Sequence, residues 1–130
     1  MKSRERGVIK YLNYKGLKLK ESFNKYNSFD AYDNNYIVEI KVRDKYYSDK
    51  MLEASKLYTN YQQAQLSNKY FLYVVKDSRG TWIYNISRDI DKIISSEPQK
   101  ILCPAQTEFN NNKKIFKICY LLPDSMALQV

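Results

Sequence analysis

The sequence predicts one α/β domain, with a mixed central sheet flanked by helices and an αβββαβ core. Three observations predict it. Apolar periodicity along the chain switches from helical to alternating and back in that order. Tyr70-Phe71-Leu72-Tyr73-Val74-Val75 is a nearly continuous apolar run, as a central strand covered on both faces requires. The length of 130 residues, 44% hydrophobic and 28% charged, suits a single domain with a single core.

Each element has its own justification. Ser3 is positioned to cap a first helix over about 4–15, in which Val8, Ile9 and Leu12 recur at helical spacing and Gly16 provides the stop. Leu17 to Phe23 alternates with period two and reads as a half-buried strand. Ser28 to Tyr32 and Tyr36 to Arg43 read as two more strands, joined through Asp33-Asn34-Asn35, where asparagine tolerates the positive φ of a tight hairpin. A long helix is expected from Ser48 to Leu66. Met51, Ala54, Leu57, Tyr58, Tyr61 and Ala64 share its broad apolar face, and Glu53, Lys56, Asn60 and Gln63 the other. After the central strand, Asp77-Ser78-Arg79-Gly80 turns the chain into a strand over Thr81 to Ile86. Asp89 to Ile94 reads as a short helix, Lys100 to Pro104 and Lys113 to Leu122 as late strands, and Pro123 to Val130 as a loose tail. The core thus covers about 4–87, a strand appendage about 88–122, and the tail 123–130.

Composition narrows the chemistry. Histidine is absent, which removes serine–histidine triads and histidine-ligated zinc. Cys103 and Cys119 alone cannot build a four-ligand zinc site, and their apolar strand contexts suit buried free thiols. Gly7, Gly16 and Gly80 are too widely spaced for a phosphate-cradling loop. No apolar run approaches the roughly 20 residues that span a bilayer, and no apolar stretch follows Met1 to Gly7 as in a signal peptide. The expectation is a protein of the cytoplasm, that of the host for a viral protein, with no membrane partner.

The formal charge of +8 is concentrated. Residues 1–25 hold eight bases against Glu5 and Glu21, a net of +6, while the rest of the chain is nearly balanced. Such a face suits a polyanion, most simply nucleic acid. A lysine-rich soluble surface is the equal alternative, since the abundance of Lys, Asn, Tyr and Ile matches AT-rich coding bias.

The hairpin carries the chemistry. With Asn34-Asn35 at its tip, Tyr32 opposes Ile37, Ala31 opposes Val38, and Asp30 opposes Glu39. Opposed residues of an antiparallel pair share a face with Cβ atoms about 5 Å apart. Two carboxylates there repel by about 3 kcal/mol at an effective dielectric near 20. A hard divalent cation, which prefers carboxylate and carbonyl oxygen, would offset that cost. Lys41 points to the same side as Glu39, whereas Val38, Ile40 and Val42 point into the core. A solvated Glu-x-Lys pair is the commoner meaning of the tripeptide alone; the opposed Asp30 favours a site. Glu5 falls on the inward stripe with Val8, Ile9 and Leu12, where a carboxylate needs a cation or hydrogen bonds. An exposed first-turn glutamate favoured by the helix dipole is as common.

An acidic residue entering a hairpin, Glu-x-Lys on the next strand, then a helix and a core strand resembles the PD-(D/E)xK nuclease superfamily. The layout is most similar to archaeal-type Holliday-junction resolvases, whose first helix bears a Glu-Arg pair matched by Glu5-Arg6. Phe29 stands where a proline often precedes the acidic residue, and Asp33, within the turn, is a rival for that position. The resemblance covers roughly residues 4–87. It implies a restriction-endonuclease-like fold and a Mg²⁺-dependent DNA endonuclease, with Mn²⁺ able to substitute. It also implies metal held by Asp30, Glu39 and the Ile40 carbonyl with Glu5 as a third acidic group, and Lys41 positioning the attacking water or stabilising the transition state. Lys10, Lys15, Lys18, Lys20, Arg43 and Tyr46 are the expected DNA contacts. The family's paired subunits, together with the apolar segment Ile115 to Leu122, suggest a homodimer. The rival readings are a catalytically inactive nucleic-acid-binding module on the same fold, and a structural or interaction protein with no active site.

Overall fold

Helix α1 (Ser3–Tyr14) opens the chain and is followed by β1 (Lys20–Glu21), β2 (Ala31–Tyr32), β3 (Tyr36–Val42) and β4 (Asp49–Glu53). Then come α2 (Ala54–Leu66), β5 (Tyr70–Asp77), β6 (Gly80–Asn85), α3 (Ile90–Ser95), β7 (Gln99–Pro104) and β8 (Lys114–Pro123). A 3-10 turn at Asp124–Met126 leads to β9 (Leu128–Gln129). The computed structural model describes residues 1–24, 26–104 and 113–130; Lys25, one of the N-terminal bases, and part of the expected appendage lie outside them.

The main sheet has the order β1-β2-β3-β5-β6-β9 and is mixed: β3 and β5 are parallel, and the other neighbours antiparallel. The helix–strand order forces the parallel pair, because the crossover from β3 to β5 carries α2 over one face. Alternation along β3 then divides the core. Val38 and Ile40 join Val8, Ile9, Leu12, Leu72 and Val74 under α1. Ile37, Phe71, Tyr73, Tyr84 and Ile86 face the opposite way, onto Leu57 and Ala64 of α2 and Tyr120 and Leu122 of β8. A second sheet, β4-β8-β7, closes that side. This is the mixed, helix-flanked sheet that the apolar patterning foretells.

Several elements differ from expectation. The cap position of α1 is Lys2, not Ser3, and no side chain caps it; Gly16, with φ 118°, does follow the helix end. The strand expected over residues 17–23 contracts to Lys20–Glu21, because Leu17 and Leu19 pack under α1. The long helix loses its first turns: Asp49–Glu53 is a strand paired to β8, and the helix starts at Ala54. Its buried stripe is Ala54, Leu57, Asn60 and Ala64, while Tyr58 is largely exposed. The tail is not loose. Trp82 pairs with Gln129 and Ile83 with Leu128, and the Val130 N–H donates to the Thr81 carbonyl at 2.9 Å. Among the described residues, no helix is long and apolar enough to cross a membrane.

Candidate active site

The hairpin register is the expected one. Tyr32 pairs with Ile37 and Ala31 with Val38, and the Asp30 N–H donates to the Val38 carbonyl at 2.8 Å. The turn is built differently, since neither Asn34 nor Asn35 takes a positive φ. Instead Asp33 Oδ1 accepts the N–H groups of Asn35 and Tyr36, both at 2.8 Å, holding the chain through the tip. Asp33 is thus spent on the turn, and Asp30 is the acidic residue beside Glu39.

Asp30, the residue before β2, and Glu39 of β3 come together where the chain enters the hairpin. The Asp30 carboxylate accepts the Ile40 N–H at 2.7 Å. N–H and C=O of one strand residue leave on the same side, so the Ile40 carbonyl also faces this edge. Glu39 is 3% exposed, on the α2 side of the sheet. Burial, then the charge of Asp30, pushes its carboxyl up to about 7 against the pull of two lysines. Burial also raises Asp30; the Ile40 N–H opposes that rise, and the Glu5 charge adds to it.

Two lysines converge on Glu39. Lys56 of α2 donates to Oε1 at 3.0 Å, and Lys41 Nζ lies 4.0 Å from the same oxygen. Burial and the Lys56 charge lower Lys41. Burial works against the Lys56 ammonium, but Glu39 outweighs it and leaves Lys56 raised. The expected helix places Lys56 with Glu53 on its outer, polar face; the Glu53 carboxylate is instead bonded to Lys117 at 2.9 Å, and Lys56 turns to Glu39. The available signal was position: a helix beginning at Ala54 turns Lys56 and Asn60, four apart, toward the hairpin. Asn60, fully buried, accepts a hydrogen bond from Ser28 Oγ, and its Nδ2 has no partner among the described residues.

Glu5 is half-buried near the start of α1, close enough for its charge to act on Asp30. Among the described residues no three acidic or thiol side chains gather into one metal-sized group. The donors at the hairpin are therefore two carboxylates and a carbonyl, an all-oxygen set whose mutual repulsion fits a hard cation such as Mg²⁺. Arg43 follows Lys41 on the same side and contributes to lowering it. Lys10 and Lys15 are exposed on or just after α1, which packs on the face opposite Glu39. Lys18 and Lys20 are exposed around β1. Tyr46 does not stand free: its ring packs on Trp82 at 5.9 Å, its hydroxyl donates to Asp124, and Lys50 and Arg79 lie over it.

No protein-family model and no curated protein matches the chain. Among solved structures, it is similar to Hjc, a Holliday junction resolvase from the archaeal hyperthermophile Archaeoglobus fulgidus. The likeness covers 97% of this chain and 88% of that one, with a TM-score of 0.60 and 13% identity. The fold is therefore restriction-endonuclease-like, as the motif-level resemblance implies.

Proposed function

We propose that this chain, having the fold of an archaeal junction resolvase, is a metal-dependent endonuclease that hydrolyses phosphodiester bonds in DNA. The observation that carries the reading is the half-buried Asp30 beside the buried Glu39, each within reach of the other's charge, with Lys41 on the same strand. Burial raises both carboxyls and the Asp30 charge raises Glu39 further, a cost that an ion held between them would offset. Asp30, Glu39 and the Ile40 carbonyl would hold Mg²⁺ or Mn²⁺, which supplies Lewis acidity and a bound water of lowered pKa. Lys41, half-buried beside Glu39, orients the attacking water or steadies the charge that grows on the phosphoryl oxygens. Glu5 acts across space, adding negative potential at Asp30. Arg43 and the exposed bases Lys10, Lys15, Lys18 and Lys20 take backbone phosphates. The neighbour's description as a Holliday junction resolvase supports branched or junction DNA as the substrate class.

Two copies would cut two strands. Leu102 and Phe116 oppose each other on β7 and β8, and with Ile118 they leave an apolar patch open to solvent, which we assign to a homodimer contact. Light scattering of the wild-type chain and of Phe116→Asp checks it: a dimer that becomes a monomer supports the assignment, and a monomeric wild type removes it.

A second reading, a DNA-binding module without catalysis, draws on Lys56, which already neutralises Glu39. One experiment separates the two: incubation with branched, duplex and single-stranded DNA, with Mg²⁺ or Mn²⁺ and with chelator. Metal-dependent cleavage that is lost in Lys41→Ala supports the nuclease. Salt-sensitive binding without cleavage supports the module.

A further inference from the structure

We propose that Lys56 is the resident counter-cation of the Asp30–Glu39 pair, and that a divalent ion binds by displacing its ammonium from Glu39. The inference rests on the metal reading above and concerns how the site is kept before the ion arrives.

The geometry carries it. Lys56 Nζ is 3.0 Å from Glu39 Oε1, nearer than the 4.0 Å of Lys41, the lysine of the Glu-x-Lys motif. The Glu39 side chain is only 4% exposed, so the oxygen they share has little room for a third positive group. An ammonium and a divalent ion on one buried carboxylate repel strongly, because the protein screens them far less than water does. One of them must leave. Lys41 sits on the central strand with its stem set by β3, whereas Lys56 projects from the first turn of α2 and is a third exposed. A lysine's four-carbon stem lets its head group swing into solvent while its backbone stays fixed. That backbone is fixed: Leu57 and Ala64 are fully buried, and Asn60 is bonded to Ser28, two residues before Asp30.

Charge balance points the same way. When Glu39 is ionised and no ion is bound, the charges of Lys41 and Lys56 offset those of Asp30 and Glu39. With a divalent ion on Asp30 and Glu39, both ammoniums lose their counter-charge. They are then two unpaired cations at the mouth of the site, and a phosphodiester is the anion that would engage them. Lys56 would thus suppress idle metal binding and favour binding together with the substrate. Its role is positioning, exerted through Glu39.

The test uses Mn²⁺ alone, with free Mn²⁺ read by electron paramagnetic resonance, on wild type, Lys56→Met and Lys56→Arg. Methionine keeps the length and removes the charge. The expectation is that Lys56→Met binds Mn²⁺ about tenfold more tightly, while Lys56→Arg stays near wild type. Equal or weaker Mn²⁺ binding by folded Lys56→Met overturns the inference and leaves the metal reading standing. No Mn²⁺ binding by any of the three overturns both. A second readout needs no variant: acylation of the Lys56 amine in the wild-type chain, followed by mass spectrometry. Faster labelling on Mn²⁺ saturation is expected, and an unchanged rate overturns displacement even if Lys56→Met fails to fold.

Discussion

Glu39→Gln should raise the stability of the metal-free protein at pH 8. Burial and Asp30 hold the Glu39 carboxyl at about 7, against 4.5 for the free side chain. Between those values the folded chain retains a proton that the unfolded chain has lost. Stability is therefore full below 4.5, falls as pH rises toward 7, and is flat above. The gap corresponds to about 3 kcal/mol spent on ionising a buried group. Glutamine has the shape of the protonated carboxyl and carries none of that cost. For a domain of this size the gain is a rise in Tm of roughly 10 °C at pH 8. It should vanish near pH 4, where the wild-type carboxyl is protonated in both states. Thermal melts of both proteins with chelator at the two pH values measure it, alongside DNA cleavage with Mg²⁺, which the variant should lack. A folded Glu39→Gln protein that melts at or below wild type at pH 8 would refute the electrostatic argument. Undiminished cleavage would refute the catalytic one.

Glu5→Gln removes a charge that raises Asp30, so the Asp30 carboxyl should titrate lower, as carboxylate NMR reads, with folding little changed. Lys50→Met should cost about 3–5 kcal/mol in chemical denaturation. Lys50 is 4% exposed, 3.6 Å from buried Asp77 and 2.9 Å from Asp124, and its loss strands the Asp77 charge. DNA affinity measured by anisotropy should fall with salt at a log–log slope of about −0.9 per phosphate neutralised. Replacing Lys10, Lys15, Lys18 and Lys20 together should flatten that slope, and a salt-insensitive complex would count against phosphate binding.

What the sequence reveals here is what short-range rules decide. The Ala31–Val38 register, which brings Asp30 beside Glu39, follows from period-two alternation and the length of one turn, and both are local. β5 is legible as a central strand because Tyr70 to Val75 is a nearly continuous apolar run; that it lies parallel to β3 comes from the structure. The asparagine turn misled only in mechanism, since Asp33 supplies by hydrogen bonding what positive φ would have supplied. β4 was hidden because Met51, Ala54 and Leu57 happen to continue a helical spacing. The partner that makes Asp49–Glu53 a strand lies some 70 residues later, in β8. Lys56 was hidden by the same misplaced helix start. The docked tail was hidden because two-residue β9 leaves almost no pattern of its own.

The edges of the two sheets have a further consequence for how copies of this chain meet. The main sheet ends in β1 on one side and β9 on the other, each two residues long, so neither edge offers a ladder for a foreign strand. In the small sheet, β4 is turned toward the main sheet, where the Tyr73 hydroxyl donates to the Met51 carbonyl at 2.8 Å. Six-residue β7 is left as the long open edge among the described residues, beside the exposed Leu102 and Phe116. Among the described residues, unwanted strand exchange between molecules is thereby directed to the β7 edge. On heating at high concentration, aggregation should nucleate there, and a lysine or proline set into β7 should suppress it without touching the hairpin that carries Asp30 and Glu39.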